Sequence, residues 1–212
     1  IIPAILTNDI REIEEKLSRA EGIVKRIQID IVDGVFAANK TIDPSFLEKI
    51  ETDLNLDFHL MTKDPLSWVE RAVRGGADRI IGQIEGMADQ VEFIGKVAEV
   101  GLSLGLAIDL ETPVSALDPT ILTNLDVVLV MAVKAGFGGQ KFDERALNKI
   151  KQLDELRIRD DTPFRICVDG GETKDVIDET HFAGADEVVI GSRIFDGDLA
   201  ENIRRFQEAA HG

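Results

Sequence analysis

The chain has 212 residues, of which 24 are basic and 40 acidic, and its formal net charge is −16. A charge of this sign excludes the usual nucleic-acid binder, because contact with phosphates needs a basic surface. The hydrophobic content of 44% is that of a globular protein with a sizeable core and excludes a disordered chain.

The sequence also lacks the features of disulfide-bonded, membrane-spanning and multidomain proteins. Cys167 is the only cysteine, which excludes an internal disulfide and fits a reducing compartment. No apolar run approaches the roughly 20 residues of a membrane span, so we expect a cytoplasmic protein that has no membrane partner. No linker or composition shift interrupts the chain, which predicts a single domain over residues 1–212.

Eight short β-rich runs alternate with helical patterns from one end of the chain to the other. The runs are 2–6, 26–31, 56–61, 79–84, 103–108, 127–133, 165–168 and 187–190. One face of the first helical pattern carries Ile10, Ile13, Leu17 and Ala20, and one face of the last carries Leu199, Ile203, Phe206 and Ala210. This alternation predicts repeated βα units and a parallel sheet, as in a closed (β/α)8 TIM barrel or an open doubly wound sheet.

The interiors of the predicted strands favour the barrel. A strand in an open parallel sheet is buried on both faces and is nearly all apolar. Residues 27–31 instead alternate strictly, with Gln28 and Asp30 on one face and three isoleucines on the other. Similar alternation in 56–61 and 165–169 also places a polar residue at the carboxyl end of the strand, which is the active-site rim of a TIM barrel.

Two aspartates on this rim could transfer protons. Asp30 and Asp169 are each followed by glycine-containing turns, so turn formation alone could explain either of them. Together they place two carboxylates on well-separated strands that face each other across the mouth. Such a pair suits an epimerase or isomerase, which removes a proton from one face of a carbon and returns it to the other.

His59 is the only histidine at a predicted strand end, and we expect it in the same layer as Gln28, Asp30 and Asp169. Oxygen and nitrogen ligands in such a layer can hold a divalent cation. His181 and His211 are assigned no role. Met61, Met131 and Cys167 are predicted to point inward and to fill the barrel, the two methionines beside the substrate.

Three glycine features follow the last three strands and predict a phosphate site. They are Gly136-Phe137-Gly138-Gly139-Gln140, Gly170-Gly171, and Gly191-Ser192 with the short Arg193-Ile194-Phe195 turn. Glycine is ordinary in βα loops, but the loops after strands seven and eight are where barrels of this type bind phosphate through backbone N–H groups. Local dipoles would let even a strongly acidic chain bind an anion there.

In combination these motifs resemble the ribulose-phosphate 3-epimerase family over essentially the whole chain. The resemblance is carried by Pro3-Ala4-Ile5-Leu6, residues 29–34, Asp57-Phe58-His59-Leu60-Met61, Glu111-Thr112-Pro113, residues 136–140, Val168-Asp169-Gly170-Gly171 and Gly191-Ser192. It implies a TIM barrel of the ribulose-phosphate-binding type and a cytoplasmic isomerase of pentose phosphate metabolism. It further implies that Asp30 and Asp169 exchange the C3 proton of ribulose 5-phosphate and xylulose 5-phosphate. The family's frequent oligomers leave a homo-oligomer open.

The resemblance also implies a divalent metal ion, with one departure from the family. The family holds its metal with two histidines and two aspartates, of which Asp30, His59 and Asp169 are kept, whereas Gln28 stands in place of the second histidine. Ala4, Val32 and Gln83 replace the serine, methionine and histidine of the family in the same region. An amide oxygen is a harder and weaker ligand than imidazole, so we expect Zn or Fe to bind weakly, and Mn or Mg to be favoured.

Two alternatives to this epimerase remain open from the sequence. One is a 3-epimerase of another ketose phosphate, and the other is a catalytically silent barrel that binds a sugar phosphate or a partner. The retained pair Asp30 and Asp169 argues against the silent barrel. The Asp-x-Lys-x-x-Asp motif of related decarboxylases does not occur in the chain.

Overall fold

The computed structural model describes residues 1–210, in which eight parallel strands close into a barrel in chain order. The strands are β1 (Ile2–Ile5), β2 (Arg26–Val32), β3 (Asn55–Met61), β4 (Arg79–Gln83), β5 (Ser103–Ile108), β6 (Val127–Met131), β7 (Arg165–Asp169) and β8 (Glu187–Ile190). β8 pairs with β1, which closes the barrel. The predicted TIM barrel is therefore confirmed and the open sheet is excluded. His211 lies outside the described residues.

Within the described part of the chain, six α-helices surround the strands. They are α1 (Ile10–Ala20), α2 (Val69–Arg74), α3 (Gln90–Glu99), α4 (Arg145–Asp160), α5 (Ile177–Phe182) and α6 (Leu199–Ala209). The first and last begin at aspartate N-caps, where Asp9 accepts from the Arg11 nitrogen and Asp198 from the Glu201 nitrogen. Both bury the predicted faces, with Ile13 and Leu17 in α1 and Ile203 in α6.

Two connections differ from the helices expected in a repeated βα pattern. β2 is followed by a 3₁₀ helix, Pro44–Lys49, and β5 by two short 3₁₀ turns, Val114–Ala116 and Leu122–Asn124. Pro44 and Pro113 stand at the starts of two of these turns, where proline is tolerated because the first N–H groups of a helix have no intrahelical partner. Within residues 1–210 no helix is both long enough and apolar enough to cross a bilayer.

The alternation in β2 separates two kinds of core. Ile27, Ile29 and Ile31 point outward into the large layer beneath the helices, and each is at most 1% exposed. The barrel interior is a separate apolar cluster, which includes Ile2, Ala4, Met61, Ile81, Leu129, Met131, Cys167 and Val189. The predicted inward positions of Met61, Met131 and Cys167 are therefore confirmed.

The lower, amino-terminal end of the barrel holds a network of ion pairs. Asp57 is fully buried and accepts hydrogen bonds from Arg26 and Arg79, while Arg79 also donates to Glu187 at 2.8 Å. Because a buried charge must be paired to be tolerated, this network connects four strands, β2, β3, β4 and β8, without leaving Asp57 uncompensated. The polar residues at the other end of the barrel are thereby left for binding and chemistry.

Candidate active site

A cluster of four polar side chains occupies the upper, carboxyl-terminal end of the barrel interior. Asp30 on β2 lies directly beside His59 on β3 in the strand register, and Asp169 is the last residue of β7. One ligand atom from each of these three residues lies within 4.8 Å of the others. Gln28 lies one inward position below Asp30 and completes the cluster, so the structure brings together all four residues that the sequence placed there.

The amide of Gln28 bridges the two carboxylates. Its Nε2 donates to Asp30 Oδ1 at 2.8 Å and to Asp169 Oδ2 at 2.7 Å. An ionised carboxylate can only accept hydrogen bonds, so this orientation of the amide is the one that two carboxylates require. The Oε1 of Gln28 is buried and has no hydrogen-bond partner.

A threonine from the following loop holds the end of β2 that carries Asp30. Thr41 is buried, its hydroxyl donates to the Asp30 carbonyl oxygen at 2.8 Å, and it accepts from the Val32 nitrogen at 2.8 Å. Two residues earlier in the same loop, Asn39 donates to the carbonyl oxygen of Gly136 at 2.8 Å, which connects the loops after β2 and β6. The position of Asp30 therefore depends on this loop as well as on the sheet.

Burial and mutual repulsion shift the proton affinities of the cluster. Burial first, and then the nearby charge of Asp30, raise the pKa of Asp169 to about 7. Burial alone would lower the pKa of His59, but the nearby carboxylates of Asp30 and Asp169 outweigh that effect and raise it. A group with a pKa near neutrality is suited to both the acid and the base role in proton transfer.

Three of the four side chains fit a divalent cation. His59 Nδ1 is buried without a hydrogen-bond partner and faces Asp30 Oδ1 at 3.4 Å and Asp169 Oδ2 at 3.8 Å. An imidazole nitrogen that converges with two carboxylates is an ordinary donor set for such an ion. Gln28 presents its amide nitrogen rather than its oxygen, so coordination by Gln28 stays a prediction that requires the amide to rotate.

The predicted glycine loops surround a cavity of about 200 Å³ directly above the cluster. Its lining includes Asp169 and the residues predicted to contact the substrate around it: Met61, Met131, Gly138, Gly139, Gly170, Gly171, Gly191 and Ser192. Asp30, Gln28 and the fully buried His59 do not line it. Gly171 has a φ of +71°, and a Cβ there would lie 2.2 Å from the Phe142 nitrogen, so only glycine fits. The loop after β7 can therefore pack closely against the loop after β6.

A larger and more open groove of about 900 Å³ lies beside the mouth, along Phe46, Trp68 and Arg71. None of the four clustered residues lines it. We therefore place the candidate active site in the smaller cavity, where glycine loops and titratable groups meet.

Two charged residues of the glycine-lined cavity, Arg193 and Glu172, were not assigned a role from the sequence. Arg193 lines it from the loop after β8; its hydrogen bond in the structure is a long one, 3.4 Å, to the carbonyl oxygen of Glu172. Glu172 also lines it and is 2% exposed. Arg193 could have been found from its place directly after Gly191-Ser192, whereas no sequence pattern indicates that a glutamate after two glycines is buried.

The carboxyl of Glu172 is only partly satisfied. Thr180 donates to its Oε1 at 3.1 Å, and its Oε2 is buried without a partner. Burial raises the pKa of Glu172 to about 8, and the hydrogen bond from Thr180 offsets only part of this shift. Glu172 is therefore mostly neutral at pH 7 and adds little repulsion to an anion in the cavity.

The substitution Glu172→Gln is expected to stabilise the protein increasingly as the pH rises. Folded Glu172 keeps its proton up to a pKa of about 8, whereas an unfolded glutamate loses it near ~4.3. Between these values the folded state binds one more proton, so the free energy of unfolding falls by up to about 1.4 kcal/mol per pH unit from this residue. The advantage of the variant should grow from about pH 5 to about pH 8 and then level off.

Urea unfolding of both proteins across this pH range measures the effect. Glu144→Gln, at an exposed position before α4, is the control and should differ from the parent by a constant amount. A constant difference for Glu172→Gln as well would show that the carboxyl is ionised in the folded protein at neutral pH.

Comparisons with known proteins show the family to which the chain belongs. A model of the Ribulose-phosphate 3 epimerase family matches residues 1–195. The ribulose-phosphate 3-epimerase of Bacillus subtilis is 34% identical over 92% of this chain and 91% of its own length. That of Treponema pallidum is 32% identical over 94% and 92%.

Solved structures share the fold at lower identity. KGPDC from Streptococcus mutans, solved in complex with a ligand, superimposes with a TM-score of 0.73 and 14% identity over 99% of this chain and 96% of that one. A 3-hexulose-6-phosphate synthase has a TM-score of 0.64 and 17% identity over 99% of both chains. These likenesses support the barrel, while the family model and the epimerase relatives decide the family: this chain is a member of the ribulose-phosphate 3-epimerase family of isomerases.

Proposed function

We propose that this protein interconverts ribulose 5-phosphate and xylulose 5-phosphate by moving a proton at C3, with Asp30 and Asp169 as the two proton carriers. One observation supports the assignment of these two residues. Both carboxylates accept a hydrogen bond from the same amide nitrogen of Gln28, directly beneath a glycine-lined cavity. Membership of the family supports the reaction.

The reaction needs a base on one side of C3 and an acid on the other. One aspartate takes the C3 proton, and the electron pair of that C–H bond moves towards the C2 carbonyl to give a 2,3-enediolate. The other aspartate, in its protonated form, delivers a proton to C3 from the opposite face, which inverts the centre. Two carboxyl groups that share a buried site are suited to this division, because their proximity keeps one of them protonated near neutral pH.

The cavity above the aspartates is suited to the phosphate group. Backbone N–H groups around Gly170, Gly171, Gly191 and Ser192 can bind its oxygens, since glycine lets the chain come close. Arg193 adds a guanidinium at the same place, and in the described structure no carboxylate forms an ion pair with it. A charge-assisted hydrogen bond from Arg193 would then hold the phosphate while C3 lies between Asp30 and Asp169.

A divalent cation is part of the proposal, as the family is metal-dependent. Asp30, His59 and Asp169 would hold it, and its charge would stabilise the enediolate oxygens. The amide of Gln28, as oriented, stabilises the carboxylates in a different way, by donating to both of them. We therefore propose weak binding of zinc and a preference for added Mn²⁺ or Mg²⁺.

A 3-epimerase of another ketose phosphate would use the same residues in the same roles. A silent sugar-phosphate-binding barrel is less well supported, because two buried carboxylates in one site are costly to fold unless they are used. Incubation with ribulose 5-phosphate in deuterated water, followed by NMR of the product, tests the reaction itself. Deuterium at C3 is expected, and its absence with any added divalent metal would refute the proposed function.

Replacement of either aspartate by asparagine should slow turnover by about a hundredfold or more, because a positioned proton carrier is lost while the shape is kept. Asp30→Asn and Asp169→Asn are each compared by turnover and by the rate of deuterium incorporation. Asp53→Asn is the control, since Asp53 is exposed and precedes β3 at the lower end of the barrel. Full activity in both site variants would mean that another base removes the proton.

Replacement of Arg193 by methionine should raise KM about tenfold or more and leave kcat within a few fold, because the phosphate does not take part in bond breaking. Steady-state kinetics with ribulose 5-phosphate separate the two constants. Arg159→Met removes an exposed arginine that pairs with its neighbour Asp160 and should change neither constant. An unchanged KM for Arg193→Met would remove Arg193 from the phosphate site.

Replacement of Gln28 by histidine should raise zinc affinity more than tenfold, because imidazole is a better zinc ligand than an amide oxygen. Zinc content by mass spectrometry, measured beside turnover, compares the parent with Gln28→His. Gln90→His places the same new side chain outside the barrel, on α3, and should not retain more metal than the parent. If the parent already contains one tightly bound zinc ion per chain, and Gln28→His contains the same amount, the glutamine at position 28 does not weaken zinc binding.

A further inference from the structure

A chain of hydrogen bonds leads from His59 out of the barrel interior to the surface. His59 Nε2 lies 2.8 Å from Gln83 Oε1, and Gln83 Nε2 donates to Glu85 Oε2 at 2.8 Å. The other carboxylate oxygen of Glu85 accepts from the Asp109 nitrogen at 2.7 Å. His59 and Gln83 are fully buried, whereas Glu85 lies at the exposed edge beyond β4.

The chemistry of these groups fixes which way each one points. Glu85 can only accept hydrogen bonds as a carboxylate, so the Gln83 amide must turn its NH₂ group towards Glu85. Its carbonyl oxygen then faces His59 and can only accept. A hydrogen bond between Gln83 and His59 therefore requires that Nε2 of His59 carries a proton.

The other ring nitrogen is directed into the active site. His59 Nδ1 has no hydrogen-bond partner and faces Asp30 at 3.4 Å and Asp169 at 3.8 Å. Without Gln83, these two carboxylates would favour the form of the neutral imidazole that carries its proton on Nδ1. A proton there would prevent Nδ1 from binding a cation. The hydrogen bond to Gln83 on the opposite side of the ring instead favours a proton on Nε2.

We propose that Gln83 and Glu85 are positioning residues that keep the proton of His59 on Nε2 and leave Nδ1 as the ligand atom in the site. This inference rests on the metal role proposed for His59 and does not depend on the identity of the sugar. Ligating histidines commonly donate their second N–H to an oxygen acceptor, and loss of that acceptor typically costs 10- to 100-fold in metal affinity. Here the acceptor is an amide whose own orientation is set by a carboxylate.

The protonation of His59 can be observed directly by ¹⁵N NMR of the metal-free protein. The chain has three histidines, so comparison with His181→Gln and His211→Gln assigns the His59 ring. The parent is expected to keep a proton on Nε2 at both pH 7 and pH 9, because Gln83 offers only an acceptor. An unprotonated Nε2 in the parent at pH 9 would overturn the proposal.

Two variants test the two residues separately. Gln83→Met removes the acceptor at similar volume, and at pH 9 the proton should leave Nε2 for Nδ1. Glu85→Gln lies at the exposed edge, where the fold tolerates substitution, and frees the Gln83 amide to rotate, so a mixture of both protonated forms is expected. A His59 spectrum in Gln83→Met identical to that of the parent refutes the role of Gln83, and one in Glu85→Gln identical to the parent refutes that of Glu85.

Binding of Mn²⁺ alone, followed by electron paramagnetic resonance of the free ion, gives the second readout. The dissociation constant should rise about 10- to 100-fold in Gln83→Met and by less in Glu85→Gln. Gln90→Met is the matched control, because the Gln90 amide also bridges two groups, the Ala116 oxygen and the Asp118 nitrogen, but away from the site. Unchanged Mn²⁺ binding in Gln83→Met would refute the proposal even if the enzyme proves to be an epimerase, since no sugar enters either measurement.

Discussion

Polar side chains that point into a closed barrel are largely shielded from water, so pairing with one another is what makes their burial tolerable. This constraint governs both ends of the molecule. At the lower end Asp57 and Glu187 are paired with Arg79 and its neighbours, so opposite charges meet. At the upper end two aspartates meet a neutral amide and a histidine instead. The first arrangement satisfies its charges, whereas the second leaves negative charge that a proton or a cation can neutralise.

This difference explains why proton affinities shift where they do. An amide donates hydrogen bonds but brings no net charge, so it relieves the carboxylates without cancelling their repulsion. Burial, and then the charge of Asp30, raise the pKa of Asp169, while both carboxylates raise the pKa of His59 against the effect of its burial. A cation that binds to these side chains has to displace a proton held by Asp169 or His59. The amide of Gln28 then has to break one or both of its hydrogen bonds to Asp30 and Asp169. Metal affinity and proton affinity are therefore properties of the same four side chains.

The sequence predicted the barrel and the convergence of the cluster because both depend on alternation within single strands. Gln28 and Asp30 lie two residues apart on β2, and strand geometry alone puts them on one face. What could not be predicted is the orientation of side-chain groups, as opposed to the positions of the residues along the strands. The sequence does not reveal which end of the Gln28 amide faces Asp30, nor that Gln83 faces His59. The burial of Glu172 was equally hidden, since it follows from the packing of a loop against α5 and not from any local pattern.

Thr41 has a consequence for the shape of the mouth. β1 ends at Ile5, which pairs with Ile29, so the last residues of β2 extend beyond the end of β1. Asp30 and Val32 form hydrogen bonds with Thr41 instead of with β1. The rim is therefore stepped, tall where β2 and β3 run together and low over β1. A change in the length of the loop that delivers Thr41 would alter the height of the wall itself, and with it the side from which a ligand can enter. Part of the wall around this mouth is thus built from a loop rather than from a strand.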